Sequence, residues 1–321
     1  MRHTLPLLLA LLASGCGWSD LEAEFFAVAP GRAELSLSAP SARETQALSS
    51  ELGLREDALG ASRIYASVIQ TAGEVNAVVD ALCGVIDTLR ESGLPPTSRE
   101  ADALTWGPFD DRKHPGLQAK VVMRREIDRF VYELQWGRKG QPESFAKVIS
   151  GEFFGERARG GHGGFVLDAA QAQAIGVADP KSPDGLRDIA RVELTYDMTE
   201  GKSRATLRFI ASNEDSAAID YEVEPSGAGW MNYRWIADIV ETPSGNRETL
   251  LVETRWLASK AGYAAATVSG GDLGAYTGQF AECWSEEQVQ IYWAKSFDCG
   301  LAPRCGEGRV EECVLAPAQA P

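Results

Sequence analysis

Two hydrophobic periods follow one another along the chain. Over residues 62–92, apolar residues fall at Ile64, Val68, Val75, Val78, Val79, Leu82, Val85, Ile86 and Leu89. Steps of three and four trace one stripe of an α-helix, about 45 Å long at 1.5 Å per residue. Glu74, Asp80, Asp87 and Arg90 fall between these positions, and Gly93 and Pro95-Pro96 stop the helix. From Thr105 the period becomes two. Phe130, Tyr132, Leu134 and Trp136 alternate with Val131, Glu133 and Gln135. Further alternating runs begin at Val192, Ala205, Ile219, Met231, Leu250, Tyr263 and Val289, with Tyr233, Trp235 and Trp256 among their apolar positions. Arg-Lys-Gly, Glu-Gly-Lys, Ser-Asn-Glu-Asp, Pro-Ser-Gly-Ala-Gly and Pro-Ser-Gly-Asn separate them as turn signals. Short strands with short loops predict an antiparallel meander, since a parallel sheet would need crossover helices.

These elements predict an α+β, mainly β domain over residues 61–321. Its parts are the helix at 62–92, a meander of roughly ten strands over about 105–297 and a cysteine-rich tail at 283–313. One sheet face is apolar and the other charged, so the helix is the natural cover for the apolar face. A sheet this wide curls, which gives a curved, half-open, barrel-like sheet packed on the long N-terminal helix. Upstream, Ala33–Ser38 alternates like a strand, and Pro30-Gly31-Arg32 reads as a turn from Phe25–Val28. A short hairpin inside a tether over residues 16–60 is the expectation. Two stretches read as loops: the Gly-rich 155–164, which holds His162, and the Pro-rich 179–185.

Composition narrows the class. The 321 residues carry 31 Lys+Arg against 46 Asp+Glu, a formal charge of −15, and 44% are hydrophobic. Such values fit a soluble globular protein and exclude collagen and coiled coil. The acidic balance makes nucleic acid a poor partner.

The N-terminus supplies an address. Met1-Arg2-His3 is basic, Leu5–Ala13 is apolar apart from Pro6, and Ala13-Ser14-Gly15-Cys16 follows. This is the layout of a secretory signal peptide over residues 1–15, too short to span a bilayer. Small residues leading into a cysteine resemble the lipobox of bacterial lipoproteins. That resemblance implies cleavage before Cys16 and acylation of Cys16, so the membrane would be held through lipid alone. Gly17, where Asp would retain a lipoprotein in the inner membrane, points to the outer membrane. Leu94-Pro-Pro-Thr97, Thr105-Trp-Gly-Pro108 and Ala281-Glu-Cys-Trp284 resemble a group of predicted lipoproteins of myxobacterial type, a likeness that implies no catalytic residues. The architecture is also similar, at the level of fold, to the outer-membrane lipoprotein receptor.

Six cysteines become five once Cys16 is set aside, and Cys283, Cys299, Cys305 and Cys313 cluster near the C-terminus. An exported chain meets an oxidising compartment, so these four read as two disulfides. Three pairings are allowed. The short loop between Cys299 and Cys305 favours a local bridge nested inside Cys283–Cys313. The C-x₂-C pairs usual in zinc sites are missing. Cys83 lies in the helix as a small hydrophobe. A catalytic thiol would need a histidine, and downstream of Cys16 only His114 and His162 are present.

Other chemistry is sparse. The sequence has no Gly-x-Ser-x-Gly elbow, His-Glu-x-x-His helix or Gly-Lys-Ser/Thr phosphate loop. Asp179, Asp184 and Asp188 lack the order of a calcium loop. The residues predict neither a metal nor a cofactor. They suggest a non-enzymatic envelope protein with a structural or interaction role. The alternative is a carrier of lipid or lipoprotein, with Trp136, Tyr233, Trp235 and Trp256 lining a concave apolar face. An enzyme would require a cleft that gathers His162 or His114 with acids.

Overall fold

The computed structural model describes residues 20–37, 63–155, 160–178, 189–211, 216–239, 245–297, 299, 302 and 304–315. The signal segment, Cys16 and the acids Asp179, Asp184 and Asp188 lie outside them. Four α-helices are described: α1 (Asp20–Val28), α2 (Arg32–Leu35), α3 (Arg63–Ser92) and α4 (Ala169–Ala174). The strands are β1 (Ser98–Arg99), β2 (Ala103–Asp110), β3 (Leu117–Arg125), β4 (Phe130–Arg138) and β5 (Ala146–Phe154). Next come β6 (His162–Asp168), β7 (Ile189–Asp197), β8 (Ser203–Ala211), β9 (Ser216–Val223) and β10 (Gly229–Ala237). The last are β11 (Glu248–Trp256), β12 (Gly262–Gly270), β13 (Thr277–Trp284), β14 (Gln290–Lys295) and β15 (Cys305–Glu307).

All fifteen strands form one sheet in chain order, each antiparallel to its neighbours, and the sheet is open. The edge strands β1 and β15 have two and three residues. Edges this short offer little backbone for another chain to pair with.

Register defines the two faces. One cross-strand row runs Tyr132, Gly151, Phe165, Leu194, Leu207, Ile219, Tyr233, Val252, Ala266 and Phe280. Its side chains are buried as far as Ile219 and half-buried from Tyr233 onward. The buried part shares a core with Val75, Val79, Leu82, Cys83 and Ile86 of α3, all 1% exposed or less. Each such aliphatic side chain contributes about 1.5–3 kcal/mol.

The tether expectation is corrected here. Residues 20–37 form α1 and α2 in place of a hairpin, and they belong to the core. Phe25 packs its ring 6.4 Å from Trp106, 6.0 Å from Phe130 and 6.2 Å from Phe153. The backbone of this segment finds its partners on α3 and needs no facing strand. Leu37 N–H donates to Asn76 Oδ1 at 2.6 Å, and Asn76 Nδ2 donates back to the Leu37 carbonyl at 3.1 Å. Arg32 N–H donates to Asp87, and Arg90 donates to the Ala29 carbonyl. Backbone groups satisfied this way lose their reason to pair as a ladder.

The strand count is corrected too. β3 carries Lys120, Arg124 and Arg125, which blur its alternation, while β5 and β6 contain Gly151, Gly163 and Gly164. Those glycines make the region look like a loop. In the sheet they are close approaches: Gly151 meets the Phe165 ring, Gly163 the Tyr196 hydroxyl and Gly164 the Leu194 carbonyl. The device recurs with tryptophan. Gly229 faces Trp256, and Gly262 faces Trp284. A Cβ on either glycine would come within 2.7 Å and 2.6 Å of the facing indole. Trp256 Nε1 donates to the Gly227 carbonyl at 3.0 Å, and Trp284 Nε1 donates to the Lys260 carbonyl at 2.9 Å. Both carbonyls belong to turns of one type, in which Glu224 N–H donates to Ala228 O and Leu257 N–H to Ala261 O. Gly227 and Lys260 take the positive φ that this turn demands.

The C-terminal tail covers the opposite face. Cys283 stands in the row of Tyr263 and Tyr292, opposite in parity to Trp284 and Gly262. Tyr263, Ala281, Cys283 and Ala294 on this side are all 8% exposed or less. Disulfides join Cys283 to Cys313 and Cys299 to Cys305, the nested pairing. Closing 30 residues should stabilise the chain more than closing 6. Cys313→Ser is expected to cost about 3.5 kcal/mol in denaturant unfolding, and Cys299→Ser about 2 kcal/mol.

Candidate functional site

The four aromatic residues predicted to line an apolar face share the sheet face toward α3, but they do different jobs. Trp256 is 2% exposed and bound through its indole, so it is core. Trp136 packs against the core and donates Nε1 to Asp111 Oδ2 at 3.1 Å. Tyr233 is half-buried, and Trp235 is 39% exposed. The less buried part of the face is a strip over β10–β13, where Tyr233, Leu250, Val252, Val268 and Phe280 are half-buried and Trp235 is exposed.

His114 sits in the turn between β2 and β3, as its polar surroundings predict. Its Nδ1 lies 2.9 Å from Asp111 Oδ2. Burial alone would raise the Asp111 carboxyl. Hydrogen bonds from His114, Trp136 and the Lys113 backbone outweigh it and hold the group below the usual carboxylate range. Cys83 is fully buried, and burial pushes its thiol up to about 12. Held protonated, it is a poor nucleophile.

His162 begins β6 and is not a loop residue, which corrects the sequence reading. It joins a hollow of about 370 Å³ on the face away from α3. Register builds this hollow from two cross-strand rows. The first row is Phe154, His162, Asp197 and Arg204. The second is Glu152, Gly164, Thr195 and Thr206. Gly164 links Glu152 to Thr195 in this row without itself lining the hollow. The Phe154 and His162 rings stack at 5.0 Å with 3° between planes. Arg129 lies 5.9 Å above Phe154 and binds Glu152 at 3.0 Å. The Thr199 side chain and backbone N–H bond to Asp197, and with the nearby His162 and Arg204 they lower its carboxyl.

The hollow thus gathers one histidine with two acids, the arrangement a catalytic reading required. No hydrogen bond among the described residues joins His162 to Glu152 or Asp197. Nor do the described residues hold a cluster suited to a metal ion. Sequence reasoning missed Glu152, Phe154, Thr195, Asp197, Arg204 and Thr206. The available signal was the alternation on either side of the Gly163-Gly164 pair. Comparison with protein-family models, curated proteins and solved structures finds no match for the chain.

Asp111 gives a pH prediction. A carboxyl lowered in the folded state adds stability above its unfolded pKa and loses it as pH falls through the folded one. Asp111→Asn should cost about 1–3 kcal/mol at neutral pH. Denaturant unfolding of variant and parent should converge below about pH 4, where carboxylates protonate.

Proposed function

We infer that the protein is a non-enzymatic, lipid-anchored component of the bacterial envelope that binds another envelope protein. Acyl chains on Cys16 hold it to the membrane, with Gly17 favouring the outer one. The observation that carries this reading is the half-exposed apolar strip over β10–β13, rimmed by a charged sheet. Exposed apolar patches of this kind mark docking sites. The two disulfides agree with an oxidising compartment.

The sheet curves around α3 as a half-open barrel in this reading. Support comes from its width, since open sheets beyond about ten strands rarely stay flat. The lipid-carrier alternative gains less support. Side chains of α3, Phe25 and Phe26 already occupy the apolar face over β2–β9. Among the described residues, what is left is a half-buried strip over β10–β13.

Two measurements test the reading. Cys16→Ala should move the protein from the membrane to the soluble fraction, and unchanged fractionation would overturn the anchor. Native mass spectrometry of residues 17–321, exported to an oxidising compartment, should give the bare polypeptide mass less about four hydrogens for two disulfides. A lipid released only on denaturation would favour the carrier instead.

A further inference from the structure

The hollow on β5–β8 lies on the face opposite the apolar strip, and its chemistry is different. We propose that it is a saccharide-binding site, which takes one pyranose ring of an uncharged glycan.

A pyranose ring is amphiphilic. Its C–H face needs a flat apolar surface, and its rim of hydroxyls needs acceptors and donors at the edge. The hollow supplies both. The flat wall is the outer face of the His162 ring, with Phe154 stacked behind it at 5.0 Å and 3° between planes. Glu152 and Asp197 supply carboxylate oxygens that accept, Arg204 supplies donors, and the Thr195 hydroxyl does either. The volume of about 370 Å³ falls within the roughly 300–1,000 Å³ typical of small-molecule sites.

Charge balance selects against other ligands. Arg129 neutralises Glu152, and Arg204 faces Asp197 across the strands while its Nε binds Glu222. The site has no surplus positive charge to hold phosphate and little surplus negative charge to hold a cation. The charged rim in turn disfavours a purely apolar molecule. The groups are also held in place beforehand: Thr206 is bonded to Asp220, and Asp197 to Thr199. Groups fixed before binding lose little entropy on contact.

The chain has three histidines, so His162 is its own reporter. The test follows the imidazole Hε1 signals by NMR, with the full chain in detergent. The probes are cellobiose and N,N′-diacetylchitobiose, each raised to tens of millimolar. The His162 signal, assigned with His162→Ala, should move and saturate while His114 stays still. Phe154→Ala should weaken the apparent affinity about five-fold or more. Trp235→Ala, on the other face, should leave it unchanged and so separate this site from the protein-docking strip. If Phe154→Ala fails to fold, loss of calorimetric binding heat in His162→Ala serves in its place. The proposal is overturned if neither sugar moves His162, if His114 moves equally, or if Trp235→Ala abolishes the response.

Discussion

A sheet of fifteen strands has two faces, and the rest of the structure depends on which part of which face finds a cover. The helix α3, with Phe25 and Phe26 beside it, covers the apolar face from β2 to β9. The disulfide-tied tail covers the opposite face at β12–β14. Among the described residues, each face keeps a region that neither of these covers reaches. One is the apolar strip around Trp235, and the other is the hollow around His162. Among the described residues, both candidate sites lie where neither helix nor tail covers the sheet.

Glycine opposite an aromatic ring is the local device that makes such a sheet possible. Trp256 over Gly229 and Trp284 over Gly262 bury large rings along the sheet without adding a layer. Their indole N–H groups close the adjoining turns, so one residue fixes both strand register and loop conformation. One buried carboxylate follows the same economy. Glu248 is fully buried, yet its carboxylate accepts the backbone N–H groups of Ile239 and Asp272, pinning two loops at that end of the sheet. Polar atoms placed so have their hydrogen bonds satisfied.

Several features were readable from residues alone because each rests on local spacing. The stripe from Val75 to Leu89, the alternation from Phe130 to Trp136 and the nested cysteines are of this kind. What was not readable depends on distant partners. Residues 32–37 look like a strand, but Asn76, Asp87 and Arg90 supply their hydrogen bonds from α3. Gly163 and Gly164 look like a loop, but Phe153 and Tyr196 sit opposite Gly163 on the neighbouring strands. The hollow was hidden for the same reason. Its members lie on four strands, and only register brings Glu152 and Asp197 to the same side as His162.

The central claim is that one sheet holds two separately covered cores. Native-state amide hydrogen exchange on Leu82→Ala tests it most directly. Truncating this buried leucine should cost about 2–5 kcal/mol. The account predicts that the loss of protection concentrates in β4–β8, over α3, while β12–β14 under the tail change little. An equal loss across all strands would contradict the claim and make the sheet a single cooperative unit.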